Sequence, residues 1–380
     1  MKCPNCNESY HASEAIYCHM CGFPLEVPVS PVVEERDSRF EFAESFSEGK
    51  ARVVSGGKLG FIDKTGSFVI PATFNLEGSY IFGHDTCAGF SEGLAAVSIG
   101  DFPRRQYGFI DHSGNMVIQP QYSCAWHFSE GLAPILQSGK WGYIDKSGQV
   151  VIKPAFEMAG FFSGGLALVK TKKGEYEYID KSGRSVITKT QNRLFDSDGD
   201  PIFFRRAKFS SASDFHDGLA RARCFKNEGF IDKTGMFLRV KGHRAHGDFS
   251  GGRAVVISCN TSNNNKYGYI DSKMRVVINP IFDGAGDFHD GLAVVKRSGK
   301  CGFIDGLGNV IIPFLFDEAS SFHEGLAAVK VNGLIGYVNG NGSVVVSPQF
   351  KSARDFSEGL AAVKYNGIWR FIDNTGAFVI

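Results

Sequence analysis

Hydrophobic positions along this chain fall in short runs of about four to six residues, rich in Val, Ile, Phe and Tyr and bounded by Gly, Asp, Asn and Ser. Runs of that length and composition predict β-strands separated by tight turns. Three phrases recur. The first reads Phe-Ser-Glu-Gly-Leu-Ala at Phe90, Phe128 and Phe356, and returns with changes at Phe46, Phe162, Phe215, Phe249, Phe288 and Phe322. The second is Gly-Phe/Tyr-Ile-Asp, ending at Asp63, Asp111, Asp145, Asp180, Asp232, Asp271, Asp305, Asn339 and Asp373. The third is apolar and usually ends in proline, as in Val69-Ile-Pro71, Val117-Ile-Gln-Pro120, Val151-Ile-Lys-Pro154, Val277-Ile-Asn-Pro280, Ile311-Ile-Pro313 and Val345-Val-Ser-Pro348.

Each phrase reads as one strand. In Leu-Ala-x-Val the Ala and Val share a face, and the residue between them (Ala96, Pro134, Leu168, Arg221) varies as on a less buried face. The second phrase runs into Asp-x-x-Gly, where Asp accepts backbone N–H groups and Gly supplies the positive φ of a type I turn with a bulge. The second and third strands therefore form an antiparallel hairpin. Proline has no N–H for a ladder and is expected to end the third strand. The stretch that follows, such as Phe156, Ala159 and Phe162, has a spacing of three. That spacing predicts a loop with at most one helical turn.

Phe322 and Phe356 stand 34 residues apart, which is the base period; Phe162 and Phe215 stand 53 apart, so about 19 residues are inserted there. Nine copies occupy residues 39–380, with the insertion at about 188–213. One such copy buries too little apolar surface to fold alone, so neighbours must cover each other. The expected fold is all-β: a repeat array of antiparallel hairpins, taken as an open superhelical β-array, with a closed β-propeller as the alternative. Propeller blades usually have four strands in about 40–50 residues, against three strands in a shorter period here.

On these phrases the chain resembles the WG-repeat family of bacterial proteins from about residue 39 to residue 380. The Trp-Gly pair that gives that family its name stands at Trp141-Gly142; elsewhere the Trp position holds Leu59, Tyr107, Glu228, Tyr267, Cys301 or Ile335, and copy nine reads Trp369-Arg370. The resemblance implies the repeat fold and no general activity.

Composition adds little to the fold and more to the function. Lys and Arg number 41 against 40 Asp and Glu, so the basic excess that drives non-specific nucleic-acid or anionic-membrane binding is missing. No apolar run is long enough for a membrane helix, and no secretory leader is read at the amino terminus. The cysteines beyond the first four (Cys87, Cys124, Cys224, Cys259, Cys301) are scattered singly, a poor disulfide framework. Together these features predict a cytoplasmic protein.

The first four cysteines differ. Cys3-Pro-Asn-Cys6 and Cys18-His-Met-Cys21 are two Cys-x-x-Cys knuckles. Four thiolates match the tetrahedral demand of Zn²⁺ and leave no open position for a catalytic water, so Cys3, Cys6, Cys18 and Cys21 are the expected ligands of a structural zinc. Residues 1–24 would form this small zinc ribbon, similar to minimal ribbons at the start of many bacterial proteins. Residues 25–38, with Pro28, Pro31 and Glu34-Glu-Arg-Asp37, read as a stiff polar linker.

No catalytic set emerges. The recurring Asp residues sit three before a Gly in almost every copy, which marks turn caps. His216, His289 and His323 occupy the Ser slot beside the turn carboxylate. His243-Arg-Ala-His246 has a spacing that suits a metal, but lies in a degenerate connection and reads as a loop. The insertion carries Arg193, Arg205, Arg206 and Lys208 beside Phe203, Phe204 and Phe209, and is read either as a solvated loop or as a grafted functional element. The expected function is a non-catalytic interaction scaffold for a protein partner. A glycan- or peptide-binding module is the second reading, and a nucleic-acid-associated protein acting through the ribbon the third.

Overall fold

The computed structural model describes residues 40–75, 89–100, 103–188, 208–224, 227–240, 242–258 and 265–380, with the backbone of Leu194–Phe195 and Pro201–Ile202. The predicted ribbon and linker lie outside the described residues. One compact unit comprises the described residues up to Gly56, Gly60–Phe68 and Ile281–Ile380; the other comprises Gly57–Leu59 and the described residues of Val69–Pro280.

All regular structure among the described residues is β, as the sequence predicts, but each full copy has four strands. Copy seven consists of Gly284–His289, Leu292–Arg297, Lys300–Asp305 and Val310–Phe316, hydrogen-bonded in that order as one antiparallel sheet. Copies three, six and eight repeat the order. Two expectations are thereby corrected.

The Phe-x-x-Ala-x-x-Phe stretch is the first strand, not a helical turn. Ala285 pairs with Val295 and Phe288 with Ala293, so three residues of the first strand oppose two of the second. The spacing of three is a β-bulge. The same shift separates Ala43 from Phe46 and Ala159 from Phe162. His243–Ala245, read as part of a loop, is likewise the first strand of copy six.

Proline does not end the last strand. Val150–Phe156 runs through Pro154. Tyr143 pairs with Ile152 and Trp141 with Phe156, so four residues of the edge strand span two of its partner. Pro154 sits in that arch, at the sheet edge, where no ladder donor is demanded. The arch passes directly over Gly142: a Cβ there would stand 2.5 Å from the Ile152 carbonyl oxygen and 2.6 Å from the Pro154 nitrogen. The second residue of the Trp-Gly pair is thus glycine because backbone crosses it. Gly108, Gly268 and Gly336 meet the same arrangement. Where Glu177 replaces the glycine, the fourth strand is only Ser185–Ile187 and carries no proline.

Tight turns join the strands. In Phe-Ser-Glu-Gly-Leu, Ser129 and Leu132 exchange both backbone hydrogen bonds, with Glu130 at φ 52° and Gly131 at φ 86°. Two positive φ values define a type I′ hairpin, whose twist matches its strands.

The cores lie between copies. In the second unit, Tyr143 meets Phe162 edge-on at 5.0 Å between ring centroids, and Phe230 meets Phe249 at 4.8 Å. In the first unit, Phe303 meets Phe322 and Tyr337 meets Phe356, each at 4.8 Å. Within each unit the pattern repeats: the aromatic of the third strand packs on the first-phrase Phe of the next copy. Of the variable positions on strand two, Ala96, Pro134 and Leu168 are buried, against expectation, while Arg221 stays part-exposed as its variability suggests.

Within the first unit, copy one follows copy nine by the same rule. Phe371 packs on Phe46 at 5.1 Å, and Phe40, Ala43, Phe46, Leu360, Trp369 and Phe371 share one core. Trp369 donates its backbone N–H to the Phe40 carbonyl at 3.2 Å, so Phe40 takes the place beside Trp369 that Phe156 takes beside Trp141.

The insertion is partly strand. Leu194–Phe195 and Pro201–Ile202 form a hairpin, and Phe195 pairs in parallel with Leu238, extending the outer edge of copy five. Phe209–Ala212, its last part, is the first strand of copy five.

Candidate functional site

The recurring polar residues are engaged in holding the repeat together. Asp145 Oδ1 accepts the backbone N–H groups of Ser147 and Gln149 at 2.9 and 3.0 Å and the Ser147 hydroxyl at 2.6 Å. The hydroxyl bond, with those N–H groups, holds its carboxyl below the usual range. Asp63, Asp180, Asp232 and Asp373 make the same bonds. The sequence reading of these residues as turn caps is what the geometry delivers.

The turn carboxylates link copies. Glu130 accepts the N–H groups of Gly164 and Gly165 at 2.6 and 3.0 Å and pairs with Lys181 at 3.3 Å. Burial opposes its ionisation, but these donors outweigh burial and its pKa falls. Glu92 reaches Gly131, Asp217 reaches Gly252, Asp290 reaches Gly325, and Glu324 reaches Gly359. Adjacent Ser hydroxyls add a parallel link, Ser129 to the Phe162 carbonyl and Ser357 to the Phe46 carbonyl.

Cys3, Cys6, Cys18 and Cys21 lie outside the described residues. Among the described residues no three His, Cys, Asp or Glu side chains converge to hold a metal. By register His243 takes the place of Phe209 in copy five and Ala245 that of Ala212; His246 follows the strand, and its ring lies edge-on to Tyr267 at 5.0 Å. The Trp positions face inward: Trp141 and Trp369 are buried.

Unspent polar groups gather where the repeat is altered. A cleft of about 410 Å³ between copies five and six is lined by Arg221, Arg223, Glu228, Arg244 and His246, with Ala222 between the first two. Every other copy carries Val or Ile at the Ala222 slot, among them Ile135, Val169, Val256 and Val329, all buried. Copy five instead reads Leu219-Ala-Arg-Ala-Arg-Cys224; Arg221 and Arg223 take the places of Val255 and Ile257 in copy six and share one face of the strand, while the Ala222 side chain is buried in the core shared with copy four. Arg221 donates to the His246 carbonyl and lies 3.7 Å from Asp248 Oδ1. Arg223 lies 3.8 Å from Glu228. Arg244 is exposed and makes no hydrogen bond or ion pair among the described residues. The sequence reading noted Arg221 only as a variable position and missed Arg223 and Arg244; the signal was the pair of arginines two apart in that one strand.

Beside the cleft, Asp214 is pushed up to about 6, first by burial and then by the like charge of Asp248, with His216 opposing. Its Oδ1 approaches Gly160 so closely that a Cβ there would stand 2.7 Å away. Asp248 accepts the Ser213 hydroxyl at 2.7 Å.

Four-stranded antiparallel sheets in tandem, sharing cores and linked by turn carboxylates, define a β-repeat protein. The family is that of the WG containing repeat, which matches residues 37–58, 60–76, 107–141, 141–176, 267–301, 302–334 and 335–369. These segments make up more than half of the chain, and it belongs to that family. No protein of curated function matches it. Among solved structures it is similar to one described as the eukaryotic initiation factor, with a TM-score of 0.53 at 12% identity, over 83% of this chain and 89% of the other. That similarity is one of fold alone. BamB from Moraxella catarrhalis gives a TM-score of 0.39 at 12% identity, over 80% and 94% of the two chains. The dehydrogenase NirN gives 0.42 at 14% identity, over 80% and 73%.

Proposed function

We propose that this protein is a non-catalytic scaffold whose repeat surface binds a protein partner. The observation that carries the reading is the use of its recurring polar side chains: the Asp residues cap turns, and the Glu and Ser residues link copies. A catalytic group needs a side chain left available to a substrate, and the repeats supply none by rule. The polar side chains left over cluster at the altered copies five and six, where a partner surface has the most to recognise.

The glycan reading rested on aromatic residues displayed along the array. The burial of Trp141 and Trp369 speaks against it. Among the described residues no helix is long and apolar enough to cross a membrane.

The amino-terminal module belongs to the same proposal. Cys3, Cys6, Cys18 and Cys21 hold a structural Zn²⁺, and the ribbon is a second, tethered binding element. Cys224 and Cys301 form no disulfide among the described residues, and a cytoplasmic setting is part of the same proposal.

Photo-crosslinking residues placed at single surface positions on copies five and six, and on copy nine as a control, test the scaffold. The expected result is a defined partner captured from copies five and six and reconstituted with purified components. Only self-reaction and hydrolysed label under several growth conditions would refute it.

A further inference from the structure

The geometry points to the copy five–six cleft as a docking site for an extended acidic peptide segment of a partner; this rests on the scaffold reading and specifies its chemistry. Arg221 and Arg223 lie two apart on the strand Leu219–Cys224. Alternate residues of a strand share a face at a separation of about 6.5–7 Å. That is also the spacing of alternate side chains in an extended peptide, so carboxylates two residues apart on a partner meet both guanidinium groups together.

Arg244, on the facing strand His243–Ala245, supplies the third positive charge. The lining carries three arginines against the single carboxylate of Glu228, in a chain that is otherwise nearly neutral. Arg221 and Arg223 have side chains 41% and 52% exposed, held at 3.7 and 3.8 Å from Asp248 and Glu228. Those separations are too long for good charge-assisted hydrogen bonds, so the arginines keep capacity for a better acceptor. A lone small anion meets too few of these groups at once; a peptide spans the cleft.

The test measures fluorescence anisotropy of a labelled peptide of alternating Glu and Ser with the full chain, against the matching Gln–Ser peptide and a single-stranded oligonucleotide. The Glu peptide is expected to bind in a salt-dependent way and the Gln peptide not. Arg223→Glu and Arg244→Glu should each weaken binding about tenfold, while Lys351→Glu, an equal charge change on exposed copy nine, should not. Unchanged melting curves would show that the variants fold. Absence of Glu-peptide binding, equal binding by the Arg244→Glu protein, or tighter Arg244-dependent binding of the oligonucleotide would overturn the proposal. If crosslinking still captures a partner when the Glu peptide fails to bind, the scaffold survives and the acidic-peptide assignment falls. Failure of both removes both.

Discussion

The carboxylate of Glu358 accepts the backbone N–H of Gly49, at 3.0 Å, from a residue 309 positions earlier in the chain. Lys64 completes the pair at 3.1 Å. This is the bond that Glu130 makes to Gly165 with Lys181, so the junction of copies nine and one is built like one in mid-chain.

The turn glutamates combine an unfavourable backbone with a useful side chain. Glu130 is held at φ 52°, a left-handed conformation that costs a residue with a Cβ about 1–2 kcal/mol. Its link to Gly164 and Gly165 offsets this. Glu130→Ala keeps the strain and loses the link, and should cost about 1–2 kcal/mol in urea unfolding. Glu130→Gly relieves the strain and should cost less. A larger loss with Gly than with Ala would refute this account.

Gly142→Ala places a methyl group against the Ile152–Pro154 backbone. Main chain cannot swing aside as a side chain does, so about 2–3 kcal/mol of stability should be lost. Alanine at Gly139 is not an equivalent control, because φ there is +72°. The comparison is Glu177→Ala, where the slot already accepts a side chain; it should be nearly neutral.

Acid should loosen the junctions between copies. Glu130 and Glu358 titrate below their ordinary range in the folded protein. Burial resists the charge, and the Gly N–H groups and a lysine more than compensate. A lowered folded pKa means a contribution complete above the unfolded value and lost as pH falls through the folded one. Chemical stability should therefore be flat near neutrality and decline below about pH 4.5, less steeply in a Glu130→Gln, Glu358→Gln variant.

Asp214 works in the opposite sense. Its folded pKa is raised to about 6 from the ordinary carboxylate range, so the folded protein binds the proton more tightly than the unfolded chain. Its contribution is most favourable below the unfolded value and is lost as pH rises towards 6. Asp248 and the neutral hydroxyls of Tyr143 and Tyr178 face it, and His216 is the one opposing charge. Asp214→Asn should stabilise the protein by about 1–2 kcal/mol at pH 7 and by little at pH 4. Equal effects at both values would count against a buried charge.

Chelation should unfold residues 1–24 and leave the repeats standing. Structural zinc contributes about 10–16 kcal/mol to folding such a module. Far-ultraviolet circular dichroism should keep its β signal after chelator is added. A large loss would mean that metal also supports the repeats.

The phrases were enough to count the copies and to place the second and third strands, because their alternation and the Asp-x-x-Gly turn act locally. The first strand was hidden by its bulge: Ala159 and Phe162 are three apart yet serve one strand, and three is also a helical spacing. Pro154 misled in the same way, since its arch over Gly142 is visible only when both strands are seen together. The caps at Asp145 and its counterparts were legible. The acceptors for Glu130 were not, because they belong to the following copy. The cleft was signalled by Arg221 and Arg223, alternate residues of one strand, whose meaning depends on what packs opposite.

Solenoids commonly fray from their extremities, where an outermost unit has company on one side only. Phe46 and Phe371 deny both extremities that exit. Peeling away Phe42–Ser55 or Leu360–Asp373 means parting an aromatic contact and a carboxylate bridge of the ordinary kind. Amide exchange in these segments should accordingly be as slow as in Leu132–Asp145, and neither should serve proteases as a loose thread.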